Sequence, residues 1–322
     1  MLYLGIDAGG TKTDALLVDA SGTVRGRGRG GCGNHQLSVE LARASIAEAC
    51  EAALREAGAM RSDVAYAYFG LAGADREPDY AVLRPLVGAL GYRRHAIACD
   101  TMIGMRAGTR LPYGAAIVSG TGFNAAARNR HGEELQYGGF GYVYGDGLGT
   151  GKDLANHALR TAIRSWQGRE APSLLCELVP DALGHATMEA MYDALLDGDV
   201  RPPAELAKLM FEAAAQGDPP AIAVLEAEGA EHANAVGALI RRLGMQDEAF
   251  DVVLIGSVLM RGGSPHMVEA IRTGVAAVAP AARVVKLTAD PVVGAALCAL
   301  ESAGEKVDEA LEQRLRQSAA VE

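Results

Sequence analysis

A five-residue turn near the N-terminus is the first stretch of this chain that could do chemistry. Between two apolar segments stand Gly9, Gly10, Thr11, Lys12 and Thr13. Adjacent glycines permit positive φ angles and leave backbone N–H groups uncovered, so such a turn can wrap around phosphate while its side chains add hydroxyls and a positive charge. The same residues also suit an ordinary β-hairpin in which the glycines serve only the turn geometry.

The pattern recurs in the middle of the chain. An apolar segment at 114–119 leads into Gly120, Thr121 and Gly122, and another apolar segment follows at 123–128. Each copy then passes through a second turn into a third strand-like segment. Two such hairpins arise by chance much less often than one, which favours phosphate binding by both turns.

Asp100 stands between the two turns, at the end of the short apolar segment 96–99. A carboxylate at the C-terminal end of a strand points into the cleft where α/β domains bind ligands. There it could accept the proton of a hydroxyl group that attacks a phosphoryl group. The alternative is that Asp100 caps a segment that begins at Thr101 and Met102. The residues alone leave both interpretations open.

The hydrophobic pattern predicts the elements that position these residues. Three strands, the third at 23–29, precede an amphipathic helix from Ser38 to Ala57, and a strand at 64–71 and a helix at 80–90 follow. The second half is rich in predicted helices, at 154–166, 187–196, 204–215, 220–243, 265–278, 291–302 and 307–317, with strands at 251–255 and 283–287. The last helix is charged and is expected to lie on the surface.

Length and charge limit the class of protein. At 322 residues, 49% of them apolar, the chain is long enough for two domains. The net charge of −10, with no Lys/Arg run longer than two residues, argues against binding to nucleic acid. No segment has the character of a signal peptide or of a membrane span, so we expect a cytoplasmic protein without membrane contact.

The cysteines and histidines show no metal-binding or disulfide pattern. The seven histidines include no H-E-x-x-H spacing. Because the cysteines are odd in number and form no C-x-x-C pair, we expect buried thiols in a reducing compartment. The five are Cys32, Cys50, Cys99, Cys176 and Cys298.

Six motifs occur in one characteristic order: GIDAGGTKTDALLVDASGTV, CGNH, ACD, IVSGTGFN, GGFGYVYGDG and VVLIGSV. Each motif alone is weak, but the ordered set is specific. From residue 1 to about residue 299 the chain resembles the BadF/BadG/BcrA/BcrD ATPase family, and within it the N-acetylglucosamine kinase branch.

The resemblance implies an α/β fold, namely the two-domain actin-like ATPase (ribonuclease H-like) fold in which each domain is a mixed sheet flanked by helices. One domain would comprise residues 1–112, with the helices of about 290–322 packing back on it. The other would comprise residues 113–289.

The resemblance also assigns roles to residues that match the family's motifs. It makes both glycine–threonine turns phosphate loops, makes Asp100 the general base, and places Asp7 near a Mg²⁺ ion bound through water. Gly256 and Ser257 would lie at the adenosine. Ala204 would lie there as well, unless its role is only in the packing of the helix that it precedes. The sugar-binding residues would be Asn34, Asp100, Asn124, Gly139, Phe140, Gly141 and Asp146.

Several of these residues have ordinary structural alternatives. Asp7 could bond the N–H groups of its own turn, Asn34 is a common loop residue, and Asp146 before Gly147 is a turn signal. The chain also departs from its relatives, which often carry Ser, a small residue, Trp and Glu at the positions of Ala72, Phe123, Phe140 and Gly147. These departures leave the identity of the sugar open.

The implied activity is the ATP-dependent transfer of the γ-phosphate to the 6-hydroxyl of an amino sugar, with N-acetylglucosamine as the first expected substrate. The expected cofactors are ATP and Mg²⁺, and the expected partner is a small-molecule sugar, with no nucleic acid and no membrane. The assembly is left open, with a homodimer as one option.

Three other functions share parts of the pattern. An ATPase of the dehydratase-activator type would hold an iron–sulfur cluster through cysteines, but residues 138–152 contain none. A non-enzymatic, ATP-switched binding protein would use the same hinge without a small-molecule acceptor. A glucokinase of the repressor/ORF/kinase family could share GIDAGGTK, but its cysteine-rich zinc motif is missing from this sequence.

Overall fold

The computed structural model describes residues 1–138, 149–198, 203–262 and 264–320. Its strands form two sheets of five strands each. The first contains β1 (Leu2–Ala8), β2 (Thr13–Asp19), β3 (Val24–Gly30), β4 (Val64–Leu71) and β5 (His95–Cys99). The second contains β6 (Gly114–Ser119), β7 (Phe123–Arg128), β8 (Glu134–Gly138), β9 (Asp251–Ile255) and β10 (Arg283–Lys286).

The helices pack on the faces of these sheets. In chain order they are α1 (Val39–Glu56), α2 (Glu77–Gly88), α3 (Asp100–Gly108), α4 (Gly151–Trp166), α5 (Leu175–Ala182), α6 (Met188–Leu196), α7 (Ala207–Ala215), α8 (Pro219–Arg242), α9 (Pro265–Val278), α10 (Pro291–Ala303) and α11 (Glu309–Ala319). Among the described residues, no helix is both long enough and apolar enough to cross a membrane.

The two sheets share one topology. Their strand orders are β3-β2-β1-β4-β5 and β8-β7-β6-β9-β10. In each, three antiparallel strands form a meander, and two further strands add in parallel on the free side of the first strand. This topology confirms the predicted repeat and the predicted α/β class with mixed sheets.

Strand register brings the ends of the parallel strands to one edge of each sheet. In the first sheet Ala8 is level with Leu71, and Leu71 is level with Cys99. The residues that follow these strands therefore emerge side by side, and Asp100 is one of them. In the second sheet Val118 is level with Ile255, so the turns after β6 and β9 also emerge together.

The helices and sheets alternate in layers. Helices α1 and α2 cover the outer face of the first sheet, α3 and α10 fill the space between the two sheets, and the helices from α4 to α9 cover the second sheet. Helix α10 packs against β1, β4 and α3. The division of the chain into domains at residues 112 and 289 stays a prediction.

The glycines of β3 allow α1 to lie directly on the strand. A Cβ atom on Gly28 would lie 1.8 Å from the Ala49 carbonyl oxygen, and Gly26 and Gly30 meet α1 equally closely. Any side chain there would push the helix away from the sheet.

Several predicted boundaries differ from the observed ones. Helix α2 begins at Glu77 and not at residue 80, and the predicted helix 204–215 is a 3₁₀ turn at Ala204–Leu206 followed by α7. Helix α5 was not predicted. The last helix, α11, lies on the surface as predicted, with one face that includes Leu315 and Glu312 buried.

Helix α3 was also missed. Every residue from Thr101 to Ala107 is buried, so the helix has no polar face and shows no amphipathic period in the sequence. Its first residue is Asp100, and its N-cap is Cys99. The alternative interpretation, in which Asp100 is the cap, is therefore wrong.

Candidate active site

The first turn connects β1 to β2 and presents bare backbone. The Gly9 N–H donates to the Lys12 carbonyl at 2.9 Å, and Thr11 is exposed. Neither Gly9 nor Gly10 has a positive φ, so the expectation that they supply this conformation is wrong. What matters is the missing side chain, since beyond the two neighbouring residues no described heavy atom lies within 4 Å of a Cβ built on Gly10. A ligand can approach the backbone there.

Two polar residues of this turn are already engaged. Thr13 is fully buried and its hydroxyl donates to the Gly31 carbonyl at 2.9 Å, so the structure does not bring this hydroxyl to the open face. The Lys12 Nζ lies 2.5 Å from one Asp14 oxygen, and the Arg29 Nε lies 2.7 Å from the other. Burial acts to raise the pKa of Asp14, but hydrogen bonds from the two cations outweigh it and lower that pKa.

The second turn lies against the end of β9. The Gly120 N–H donates to the Gly122 carbonyl at 3.0 Å, and a Cβ on Gly120 would lie 3.4 Å from the Ser257 hydroxyl. Gly256 has a φ of +93°, and a Cβ there would lie 2.2 Å from the Ser119 carbonyl oxygen. Only glycine can make this approach. The structure thus joins Gly120, Gly256 and Ser257, three residues predicted to bind nucleotide.

Thr121 and Ala204 are each linked to helix α4. Thr121 is exposed at the tip of the second turn. The Gly151 N–H donates to the Gly120 carbonyl at 2.8 Å, so α4 begins at this turn. Ala204 is exposed and begins a 3₁₀ turn that packs against α4. A role for Ala204 at the adenosine stays a prediction.

Carboxylates concentrate at the edge of the first sheet. Burial raises the pKa of Asp7 to about 7, and the charges of Asp100 and Asp14 act in the same direction. Burial likewise raises the pKa of Asp100, and the charge of Asp75 adds to the effect. Burial is also the main cause of the raised pKa of Asp75. Each carboxylate therefore holds its proton more tightly than it would in water.

A divalent cation would relieve this repulsion. Within the described ranges, no three His, Cys, Asp or Glu side chains are grouped to bind a metal directly. A single buried carboxylate with neighbouring negative charges still suits Mg²⁺, which keeps several of its waters. Asp7 therefore fits a water-mediated contact to this ion, and that role stays a prediction.

Asp100 is linked to the second sheet through Cys99. The Cys99 thiol donates to the Asp100 Oδ1 at 3.2 Å, and the Asn124 Nδ2 lies 3.6 Å from the same sulfur. Asn124 stands on β7, so Cys99 links the predicted base to a predicted sugar-binding residue of the other sheet. The start of α3 also favours a negative charge at Asp100.

Asn34 lies beside the first turn. The Gly33 N–H donates to the Gly9 carbonyl at 2.9 Å and ties the two loops together. The Asn34 Oδ1 accepts from the Gln36 N–H at 2.9 Å, which is the hydrogen bond of an Asx turn. Its Nδ2 group makes no hydrogen bond to the part of the chain that the structure describes. The Asn34 oxygen thus has a structural role, and the Asn34 amide nitrogen remains able to donate to a ligand.

Four predicted sugar-binding residues cannot be placed. Gly139, Phe140, Gly141 and Asp146 lie outside the described residues, as does Gly147. Of the other departures from the relatives, Ala72 belongs to the sheet edge, since its N–H donates to the Ala8 carbonyl at 2.9 Å. The ring of Phe123 stacks on His232 with centroids 5.2 Å apart.

Sequence reasoning missed three residues of this region. Asp75, Gln136 and Cys99 meet between the sheets, with the Gln136 Nε2 3.2 Å from the Asp75 Oδ1. Asp75 follows a parallel strand as Asp100 does, and that position could have drawn attention to it. Gln136 stands in the middle of β8, where nothing in the sequence distinguishes it from other strand residues.

One family model covers nearly the whole chain. The model of the BadF/BadG/BcrA/BcrD ATPase family matches residues 4–299. The chain belongs to this family. Both glycine–threonine turns, Asp7, Asp100 and the strands that carry them lie inside the range that matches the BadF/BadG/BcrA/BcrD ATPase model.

Two kinases are similar to this chain over most of its length. The chain is 28% identical to the N-acetyl-D-glucosamine kinase of Dictyostelium discoideum, over 94% of this chain and 98% of that protein. It is 26% identical to the N-acetylmuramic acid/N-acetylglucosamine kinase of Clostridium acetobutylicum, over 80% of this chain and 85% of that protein.

A crystal structure from Chromobacterium violaceum, of a proposed N-acetylglucosamine kinase, superposes with a TM-score of 0.63 at 26% identity. It covers 92% of this chain and 98% of its own chain. This likeness confirms the expected actin-like sugar-kinase fold for this member of the BadF/BadG/BcrA/BcrD ATPase family.

Proposed function

We propose that this chain is an ATP-dependent kinase that transfers the γ-phosphate to the 6-hydroxyl of an amino sugar, with N-acetylglucosamine as the first candidate. One observation carries the proposal: Cys99 brings the Asp100 carboxylate and the Asn124 amide together between the two sheets. A proton acceptor thus lies beside a group that can bind a sugar hydroxyl. The family and the names of its similar relatives support the same activity.

Asp100 is the general base in this proposal. Its carboxylate accepts the proton of the 6-hydroxyl as that oxygen bonds to the γ-phosphorus, while the bond from the γ-phosphorus to the β,γ-bridging oxygen breaks and ADP leaves. The raised pKa of Asp100 makes the carboxylate a stronger base than an exposed aspartate. Asp7 would hold Mg²⁺ through water, and the ion would supply positive charge to the phosphates.

The two turns hold the nucleotide. The turns Gly9–Thr13 and Gly120–Gly122 bind the phosphates through those backbone N–H groups that make no hydrogen bond within the turn. Gly256 and Ser257 lie beside the second turn for the adenosine, with Ala204 assigned to the same moiety. The sugar is held by Asn34, Asn124, Gly139, Phe140, Gly141 and Asp146. These roles rest on the match to the family's motifs and on the loop contacts described above.

A coupled assay of ADP release tests the activity. We expect ADP release with N-acetylglucosamine to exceed that with glucosamine, N-acetylmuramic acid, N-acetylmannosamine or glucose. A 6-deoxy analogue should bind without turnover, because it lacks the attacking hydroxyl. If no sugar releases ADP above the background hydrolysis of ATP, the kinase proposal is wrong. Turnover of the 6-deoxy sugar would refute only the assigned position.

A further inference from the structure

Asp75 connects the first sheet to two strands of the second. Its Oδ1 accepts a hydrogen bond from the Asn124 Nδ2 at 3.2 Å and another from the Gln136 Nε2 at 3.2 Å. The same Gln136 group lies 3.1 Å from the carbonyl oxygens of Ala74 and Asp75. The loop after β4 is therefore held against both β7 and β8, and Asp75 is the side chain at the centre of these contacts.

The Asp75 carboxylate fixes which way the Asn124 amide points. An ionised carboxylate only accepts hydrogen bonds, whereas an asparagine carries a donor on one side and an acceptor on the other. The reverse orientation would set the Asn124 oxygen against the Asp75 oxygen. With Nδ2 turned to Asp75, the Asn124 Oδ1 is buried and has no hydrogen-bond partner among the described residues. A buried acceptor of this kind requires a donor.

We propose that Asp75 is a positioning residue for the acceptor site: by orienting Asn124 it selects a sugar that presents a hydroxyl or acetamido N–H donor to the Asn124 Oδ1. This inference rests on the proposed kinase function. Asp75 itself does not touch the sugar. An asparagine at position 75 would offer either an oxygen or an amide nitrogen to Asn124, so the orientation of Asn124 would no longer be fixed.

The kinetic test uses Asp75→Asn, which keeps the size of the side chain. We expect the KM for N-acetylglucosamine to rise about tenfold or more, the factor that one hydrogen bond to a charged group can contribute. The KM for ATP and the kcat should stay within about twofold of wild type, because neither depends on the Asn124 orientation. Glu77→Gln is the matched control, since that exposed carboxylate pairs with Arg84 alone among the described residues.

A double-mutant cycle separates positioning from a general structural role. In an Asn124→Ala background, Asp75→Asn should change the sugar KM by less than about twofold, because the oriented group is gone. The same tenfold rise in that background, or an equal rise in the KM for ATP, would overturn the proposal.

A readout that needs no sugar keeps this inference separate from the kinase proposal. The side-chain amide signals of Asn124 in a ¹⁵N-labelled protein can be assigned by their loss in Asn124→Ala. Asp75→Asn should shift these signals, and Glu77→Gln should leave them in place. If the wild type phosphorylates no sugar, the proposed function fails, and unshifted signals in Asp75→Asn would then reject the orienting role as well.

Discussion

The thiol of Cys99 donates a hydrogen bond to the Oδ1 of Asp100 at 3.2 Å, directly at the predicted general base. Burial raises the pKa of this thiol far above its ordinary value, and the charges of Asp100 and Asp75 act in the same direction. Cys99 therefore stays protonated and remains a donor at neutral pH. This donor stabilises the Asp100 carboxylate and partly offsets the rise in its pKa that burial causes.

Removing this donor should move the acid limb of the pH profile. In Cys99→Ala the Asp100 carboxylate loses its hydrogen bond, so its pKa should rise further and activity should begin to fall at a higher pH during acidification. Cys99→Ser keeps a donor and should leave the acid limb near that of wild type. The measurement is kcat/KM for the sugar between pH 5 and 9; an acid limb unchanged in Cys99→Ala would contradict this role.

Asp7 should make the stability of the protein fall as the pH rises. Its folded pKa of about 7 exceeds the ordinary value of 3.8, so the folded state binds this proton more tightly than the unfolded state does. The resulting loss of folding stability is absent below pH 3.8, grows as the pH rises to about 7, and stays constant above that pH. Asp7→Asn should therefore raise Tm at pH 8 more than at pH 5.

Asp14 provides the matched control for Asp7. The net effect of Lys12 and Arg29 is to lower its pKa, so its carboxylate stabilises the folded state above the ordinary pKa, and this stability is lost as the pH falls through the folded pKa. Asp14→Asn should lower Tm at pH 8. If Asp7→Asn and Asp14→Asn change Tm in the same direction at pH 8, the assignment of opposite pKa shifts is wrong.

The buried Arg106 should contribute strongly to stability. It is 1% exposed and joins α3 to the C-terminal helices, with its NH2 2.8 Å from Glu301 and 3.2 Å from Glu312. Arg106→Ala leaves Glu301 without its cation and Glu312 with Arg316 alone, so it should cost about 3–5 kcal/mol of unfolding free energy. Urea unfolding at pH 7 measures this loss.

The control for Arg106 is an exposed pair between the loop just after α3 and helix α11. Arg110 pairs with Glu309 at 3.4 Å, and both side chains are mostly exposed. Arg110→Ala should cost less than about 1 kcal/mol. Equal losses in Arg106→Ala and Arg110→Ala would show that the buried network does not anchor α3.

Much of the fold follows from local patterns. The bounds of β9 and α9 are those predicted, because each carries a clear apolar period between strong signals such as Gly256 and Pro265. Ser38 caps α1 as predicted, accepting a hydrogen bond from the Leu41 N–H at 3.2 Å. The repeat of strand, glycine–threonine turn and strand was enough to predict the antiparallel hairpin that begins each sheet.

Features that depend on contacts between distant residues could not be predicted in this way. Helix α3 is buried all round by both sheets, so its sequence carries no amphipathic signal. The hydroxyl of Thr13 donates a hydrogen bond to the Gly31 carbonyl. The carboxylate of Asp75, which follows the first sheet, accepts one from Gln136 of the second sheet. In each case the partner lies far away in sequence, and no local spacing identifies it.

The sequence was enough to predict the loops of the site but not the contacts between their side chains. The ends of the strands identified Asp100 and the two turns, and the register of the sheets explains why Asp100 emerges at the same edge as the first turn. The sequence did not indicate how Asn124 is oriented, because that depends on Asp75. The contribution of residues 139–148 stays a prediction.

The measurement that tests the central claim most directly is the kinetics of Asp100→Asn with N-acetylglucosamine. Loss of a general base should lower kcat by about 10²–10⁴-fold, while the affinity for ATP, measured by calorimetry, stays within about twofold of wild type. Glu77→Gln, tested in parallel, should retain full activity. If Asp100→Asn keeps more than about a tenth of the wild-type kcat, Asp100 is not the base and the proposed mechanism is wrong.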